Sequence, residues 1–361
     1  MKTDGTKTLR DGFVLSTGRH SYRILKTIGD GGFGITYMAE NLEDFYLDTV
    51  RKDVQVKKGR ILAIKECFRA ECMERRGDGT VTLKMGKEEE GAHMRKSFIS
   101  EAQAMVDCQV NLPPNKRDNL KAGFVPVYHA GIYYGNEALT LEEELMHTGN
   151  GVYFYVMPYI NGGTLDKQAG NLYPGSIELL LYRTLRSLEY LHTSAKINGR
   201  TPLHRDIKPS NIMLTDDGYP VLIDYGGMVM DVMSPVYAAP EQVKRERLQP
   251  ATDLYSLGAS FYELITKHRA PKAEIRLSAA QDPYRPLHEM KGLVRQFNAL
   301  GEYEGYGDDW GWKFLMSIDV ALVPELSERW ESAKQWRNAL FPSRPAWQDE
   351  QAFIAPISRT L

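Results

Sequence analysis

The sequence predicts an α+β chain in which strands come first and helices follow. Three observations carry this. Runs rich in β-branched and aromatic residues recur through the first half, at 22–28, 35–39, 60–66 and 152–157. One helix interrupts them at 94–108, where Met94, Phe98, Glu101 and Met105 fall on a single face. The second half turns helical, as in the apolar stripe Ile177, Leu181, Leu185, Leu188 and Leu191 within 176–192.

Length and composition set the outer limits. The 361 residues amount to roughly two domains' worth, and 42% hydrophobic with 25% charged residues is an ordinary globular balance. A net charge of −2 gives no field that would draw nucleic acid or an acidic membrane. Cys67, Cys72 and Cys108 have no metal or redox spacing, which fits a reducing compartment. No apolar run approaches the roughly 18 residues of a membrane span, and residues 1–10 lack the apolar core of a signal peptide. A cytoplasmic protein is expected, with export by a route that leaves no cleavable signal still open. The chain has no internal repeats.

Residues 1–21 read as a polar tail. The strand at 22–28 runs into Gly29-Asp30-Gly31-Gly32-Phe33-Gly34, and Ile35, Thr36 and Tyr37 resume strand character. A dinucleotide-binding fold needs a helix after such glycines, so this is a strand–glycine turn–strand unit. Glycines allow backbone NH groups to approach phosphate oxygens with no Cβ in the way. Residues 41–59 read as a charged surface insertion, and 111–123 and 136–151 as polar loops. Lys65 sits near the end of an apolar strand. Glu101 is an acid on an otherwise apolar helical stripe; a buried carboxylate needs a cation, and Lys65 is the candidate. The strand at 152–157 continues into Pro158-Tyr159-Ile160-Asn161-Gly162-Gly163.

The densest chemistry lies at Leu203-His204-Arg205-Asp206-Ile207-Lys208-Pro209-Ser210-Asn211, a charged loop between apolar runs. Beyond it, Ile212-Met213-Leu214 and Val221-Leu222-Ile223 flank Asp216-Asp217-Gly218, a strong hairpin signal. A turn centred on Asp217-Gly218 makes opposed residue numbers sum to 435, which sets Asn211 against Asp224 at the open end. An amide oxygen beside a carboxylate suits a hard cation such as Mg²⁺. Asp206, one loop away, is free to accept a proton. Each of these three residues could also simply cap a turn.

The loop resembles the catalytic loop of the protein kinases, His-Arg-Asp-x-Lys-x-x-Asn, and Asp224-Tyr225-Gly226 resembles their Asp-Phe-Gly. Ala239-Pro240-Glu241 matches their Ala-Pro-Glu. The resemblance spans about residues 22–340, places Lys208 as in Ser/Thr rather than Tyr members, and is most similar to bacterial ones. It implies a two-lobed fold: a small N-lobe of antiparallel sheet plus one helix (22–160, hinge included) and a larger, mainly helical C-lobe (161–341), with 342–361 a tail. It further implies ATP in the cleft with Mg²⁺, or Mn²⁺ in its place, held by Asn211 and Asp224. Asp206 becomes the base, Lys208 the stabiliser of the transferring phosphoryl, and Lys65, fixed by Glu101, the holder of the α and β phosphates. The flap would be Gly29 to Gly34, with Thr36 behind it. Ile28, Ala63 and Met213 would sandwich adenine, Met157 would be the gatekeeper, and Pro158, Tyr159 and Ile160 the hinge. Asp253 would anchor the catalytic-loop backbone or cap a helix, Arg329 would pair with Glu241, and Ser234 would contact the catalytic aspartate and lysine.

Two departures stand out. Asp224 and Glu241 are 17 positions apart (241 − 224), short for an activation segment, and no Ser or Thr lies between Tyr225 and Met233. The expectation is a Ser/Thr protein kinase that needs no loop phosphorylation, either constitutively competent or switched by a protein partner. A nucleotide-binding module without transfer, a small-molecule phosphotransferase and an adenylyltransferase are the alternatives.

Overall fold

The structure is a computed structural model, and it describes all residues except 1–6, 32–33, 48–50, 111–119, 121–122, 136–150, 195–200, 229–232, 305–307 and 343–361. Gly32, Phe33, most of the 111–123 and 136–151 loops and nearly all of the C-terminal tail therefore lie outside the described residues. The chain divides into two compact units: residues 1–110 with 125–159, and residues 111–124 with 160–361.

The first unit is built on a six-stranded sheet of order β1-β2-β3-β6-β10-β9. Its strands are β1 (Val14–Ser16), β2 (Ser21–Gly31), β3 (Gly34–Asn41), β6 (Ile61–Glu66), β9 (His129–Tyr133) and β10 (Val152–Pro158). All pairs are antiparallel. The glycine turn joins β2 to β3, whose last pair is Gly31 with Gly34. Gly34 is required there: its φ is 141°, and a Cβ would run into the carbonyl oxygen of Glu66. The helix α1 spans Glu88–Val110, longer at both ends than the apolar stripe alone defines. Three glutamates, Glu88, Glu89 and Glu90, occupy its first turn, where the helix dipole favours negative charge.

Two expectations need correction. Residues 1–21 are not all tail: Val14–Ser16 pairs with β2, and Leu9 is buried. The 41–59 insertion contains a hairpin, β4 (Phe45–Leu47) with β5 (Arg51–Val56), and Phe45 and Val56 turn inward. A further hairpin, β7 (Met73–Arg75) with β8 (Val81–Leu83), precedes α1. These strands are three residues long at most or polar along their length, too short to show a period of two.

A buried polar knot ties these additions to the sheet. Arg75 donates to both carboxylate oxygens of Glu66 at 2.8 Å, to the Gly79 carbonyl at 3.0 Å and to the Lys7 carbonyl. The Tyr37 hydroxyl donates to Glu66 at 2.6 Å and accepts from the Leu9 NH at 3.1 Å. Burial pushes the Glu66 carboxyl up, while Arg75 and Tyr37 pull it back.

The second unit is mainly helical. After α2 (Leu165–Gln168) come α3 (Pro174–Ser194), α4 (Pro240–Val243), α5 (Pro250–Thr266), α6 (Ala273–Ser278), α7 (Lys291–Glu304), α8 (Trp310–Ala321) and α9 (Ala333–Leu340). Between α3 and α4 lies the small hairpin β11 (Ile212–Leu214) with β12 (Pro220–Leu222). The core is apolar faces of α3, α5, α8 and α9, with Trp336, Phe261, Phe314 and Leu185 fully buried. Inside it, Arg329 forks onto Glu241 at 2.7 and 3.0 Å and also donates to the Pro324 and Ala251 carbonyls.

Removing one member of a buried ion pair strands the other. Arg329→Leu should therefore lower the unfolding free energy of the helical unit by about 3–5 kcal/mol. Adding Glu241→Leu should restore part of that loss, which denaturant titrations of the single and double variants would show.

Candidate active site

In the first unit, Lys65 on β6 and Glu101 on α1 meet. Lys65 Nζ lies 2.7 Å from Glu101 Oε1, and both side chains are buried. Tyr155 on β10 completes the arrangement: its hydroxyl donates to the same Oε1 at 3.1 Å. Tyr155 is also the cross-strand partner of Lys65, and its ring lies under the ammonium at 5.8 Å. The sequence reading did not single out Tyr155; aligning the two antiparallel strands would have found it. Thr36 pairs across the sheet with Lys65 and Gly29. Ala63 is buried, Ile28 is 40% exposed and Met157 is half-buried. Pro158 ends β10 opposite Leu62.

In the second unit, the loop before Pro209 is held from below by Asp253. This fully buried carboxylate accepts the His204 NH at 2.8 Å, the Arg205 NH at 2.8 Å and the His192 ring at 2.9 Å. It is the fourth residue of α5, whose cap is Gln249, so the anchor reading holds and the cap reading does not. Burial opposes its ionisation, but the His192 ring and the backbone donors outweigh that and hold the carboxyl below the usual aspartate range. Arg205 has a φ of 65°, left-handed for a residue with a Cβ. Such strain persists only where the surroundings enforce it, and two donors locked on one carboxylate do so.

Asp206 follows. Its Oδ2 accepts from Lys208 Nζ at 2.7 Å and from Asn211 Nδ2 at 3.0 Å, and its Oδ1 from the Ser234 NH at 3.1 Å. The aspartate is therefore held by donors, although Oδ1 with a single donor keeps acceptor capacity. Lys208 Nζ also donates to Ser234 Oγ at 2.8 Å, so Ser234 makes the contacts expected of it.

The hairpin register differs from the expected one. Opposed residues are Ile212 and Leu222, Met213 and Val221, Leu214 and Pro220, each pair summing to 434 rather than 435. The turn is one residue longer than a two-residue type I′ turn. Gly218 takes a φ of 75°, its NH bonds to the Thr215 carbonyl, and the Thr215 hydroxyl accepts from the Tyr219 NH. That is the three-residue loop closed by a left-handed glycine. Asn211 thus faces Ile223, whose NH donates to the Asn211 carbonyl at 3.0 Å. Asp224 lies one step further on and adopts a φ of 64°, a second strained non-glycine residue. Asn211 spends its amide nitrogen on the Asp206 carbonyl, at 2.9 Å, and on Asp206 Oδ2. A carbonyl can only accept, so the nitrogen is the atom facing it and the amide oxygen is turned away. An amide oxygen and a carboxylate are the donor set of a hard divalent cation. Tyr225 is buried and donates its hydroxyl to the Leu222 carbonyl at 3.2 Å. Met213 is half-buried on β11.

Residues 139–298 match the family described as the protein kinase domain. Over that stretch the chain is similar to the protein kinases. Similar proteins include the serine/threonine-protein kinase PknL of Mycobacterium tuberculosis, 32% identical over 168 residues, 41% of this chain and 40% of that one. Serine/threonine-protein kinase C of Synechocystis is 27% identical over 266 residues, 68% of this chain and 39% of its own length. This chain thus spans about two fifths of each of these relatives. In fold it is similar to the crystal structure of the Mycobacterium tuberculosis PknI kinase domain. The TM-score is 0.54 at 16% identity, with 93% of this chain and 98% of that one covered. The α+β architecture, with a sheet-based N-terminal unit and a helical C-terminal one, is that of the kinase fold. Among the described residues no helix is long and apolar enough to cross a membrane.

The lowered Asp253 carboxyl has a pH consequence. Its ionised form is favoured in the folded state, so the stability it contributes is present above about pH 4 and lost as pH falls through the folded value. Wild-type unfolding temperature should drop below about pH 4. Asp253→Asn should be less stable at pH 7 and should flatten that acid limb, as melting curves across pH 3–8 would report.

Proposed function

We propose that this chain is a Ser/Thr protein kinase that transfers the γ-phosphoryl group of Mg-ATP to Ser or Thr hydroxyls of proteins. The observation that carries the reading is the set of contacts at Asp206, Lys208, Asn211 and Ser234, which presents a carboxylate and an ammonium 2.7 Å apart. A positioned carboxylate can take or steer a hydroxyl proton, and an adjacent ammonium can stabilise negative charge on a transferring phosphoryl. Phosphoryl transfer asks little covalent chemistry of the protein; positioning and charge do most of the work.

Asn211 and Asp224 would hold Mg²⁺, which neutralises phosphate charge when bound. Lys65 would hold the α and β phosphates. Its pairing with Glu101 keeps the ammonium extended, and the Tyr155 hydroxyl fixes the carboxylate. Gly29, Asp30, Gly31, Gly32, Phe33 and Gly34 would cover the phosphates. Ile28, Ala63, Met157, Pro158, Tyr159, Ile160 and Met213 would receive adenine, with Pro158 able to accept a hydrogen bond but not to donate one. The curated relatives named above are serine/threonine-protein kinases, and Lys208 agrees with that class. The substrate is proposed to be protein.

We further propose activity without activation-loop phosphorylation. The short segment and its lack of a hydroxyl between Tyr225 and Met233 support this. So does Ser234, whose hydroxyl and NH are already engaged by Lys208 and Asp206.

Asp206→Asn should cut phosphate transfer at least 10²-fold, the lower range for a lost general base, while nucleotide affinity changes little. Equal loss of both would overturn the assigned role. Label from γ-³²P-ATP should appear on protein, including the kinase itself; binding without transfer would instead indicate a nucleotide-binding module. Phosphatase treatment should leave the transfer rate unchanged.

A further inference from the structure

Gln242 is buried in α4, next to Glu241, and its amide grips two peptides at once. Oε1 accepts the Ala239 NH at 3.0 Å, and Nε2 donates to the Arg205 carbonyl at 2.8 Å. That carbonyl belongs to the peptide that carries Asp206. The peptide before it is held through the Arg205 NH by Asp253. The strained residue is therefore clamped on both sides, from α5 and from α4. The same short segment reaches the loop twice more, through the Ser234 NH to Asp206 and Ser234 Oγ to Lys208.

We propose that Gln242 is a positioning residue for phosphoryl transfer. It fixes the Arg205–Asp206 peptide, and with it the direction of the Asp206 carboxylate, relative to the segment 234–242. This rests on the kinase reading above. A plainer role, capping α4, uses only Oε1 and the Ala239 NH. The two roles use opposite ends of one amide, so they can be separated.

Gln242→Glu keeps an acceptor for Ala239 but removes the donor and sets a carboxylate against the Arg205 carbonyl. When the glutamate protonates, its hydroxyl can donate again; burial raises the pH at which this happens. With full-length protein and a Ser-containing peptide, Gln242→Glu at pH 8 should lose about 10-fold or more in kcat, since small misplacements cost up to ~10²-fold. KM for ATP should stay within about twofold of wild type, as expected when transition-state rather than ground-state contacts are lost. The variant-to-wild-type kcat ratio should climb towards one as pH falls to 6. Wild-type kcat in the variant at pH 8, or a loss that does not vary with pH, would overturn the proposal.

Gln242→Ala, lacking both bonds, should show no recovery at pH 6; if it recovers as Gln242→Glu does, the clamp is not the cause. Hydrogen exchange gives a readout that needs no activity. Amides in 203–211 should exchange faster in Gln242→Glu than in wild type at pH 8, while those of α5 stay unchanged. Unchanged exchange in 203–211 overturns the clamp. Absence of transfer by the wild type overturns the kinase reading and leaves the exchange result to judge the clamp alone.

Discussion

The helical unit depends on one buried carboxylate. Asp253 has no exposure, and its two oxygens collect two backbone donors and an imidazole. Without that anion, the His204 and Arg205 NH groups would be buried donors with nothing to receive them. Arg205 would then relax out of the left-handed region, and Asp206 would turn with it. An anion can hold such a bend where a neutral side chain could not, because bonds to a charged acceptor are roughly twice as strong as neutral ones. Asp253 is itself fully buried, so water does not compete for these donors.

The sheet unit uses charge differently. Two consecutive residues of β6, Lys65 and Glu66, point to opposite faces, as the period of two requires. Lys65 meets Glu101 and Tyr155 on one side; Glu66 meets Arg75 and Tyr37 on the other. Each ion is buried and answered by an opposite charge, and in each pair a tyrosine hydroxyl donates to the carboxylate. A single strand therefore carries the ion pair proposed to hold phosphate on one face and a structural pair on the other. Only the first was legible in the sequence.

Glu101 could be read because an acid on a strong apolar stripe has few explanations. Glu66 could not, since its partner Arg75 lies on a three-residue strand with no periodicity. The hairpin after Asn211 was found, but its register slipped by one. Asp217-Gly218 fits either a two-residue turn or a three-residue loop with glycine last, and the deciding bonds come from Thr215, outside the dipeptide. The first strand was hidden for a similar reason: Phe13, Val14 and Leu15 make too short a run beside Gly12 and Gly18 to stand out. Gln242 gave no sign in the sequence, because an amide beside the Ala-Pro-Glu match looks like any surface glutamine. Its importance comes from where the backbone of Arg205 passes.

The knot around Arg75 has a consequence for where this fold may be cut. Two of the guanidinium's nitrogens reach the Lys7 carbonyl, and the Tyr37 hydroxyl receives the Leu9 NH. A protein trimmed to begin at the glycine-turn strand would keep every residue that the kinase motifs name. It would also leave a guanidinium and a phenol facing a trench where main chain used to lie, and water entering that trench would sit one residue along the strand from Lys65.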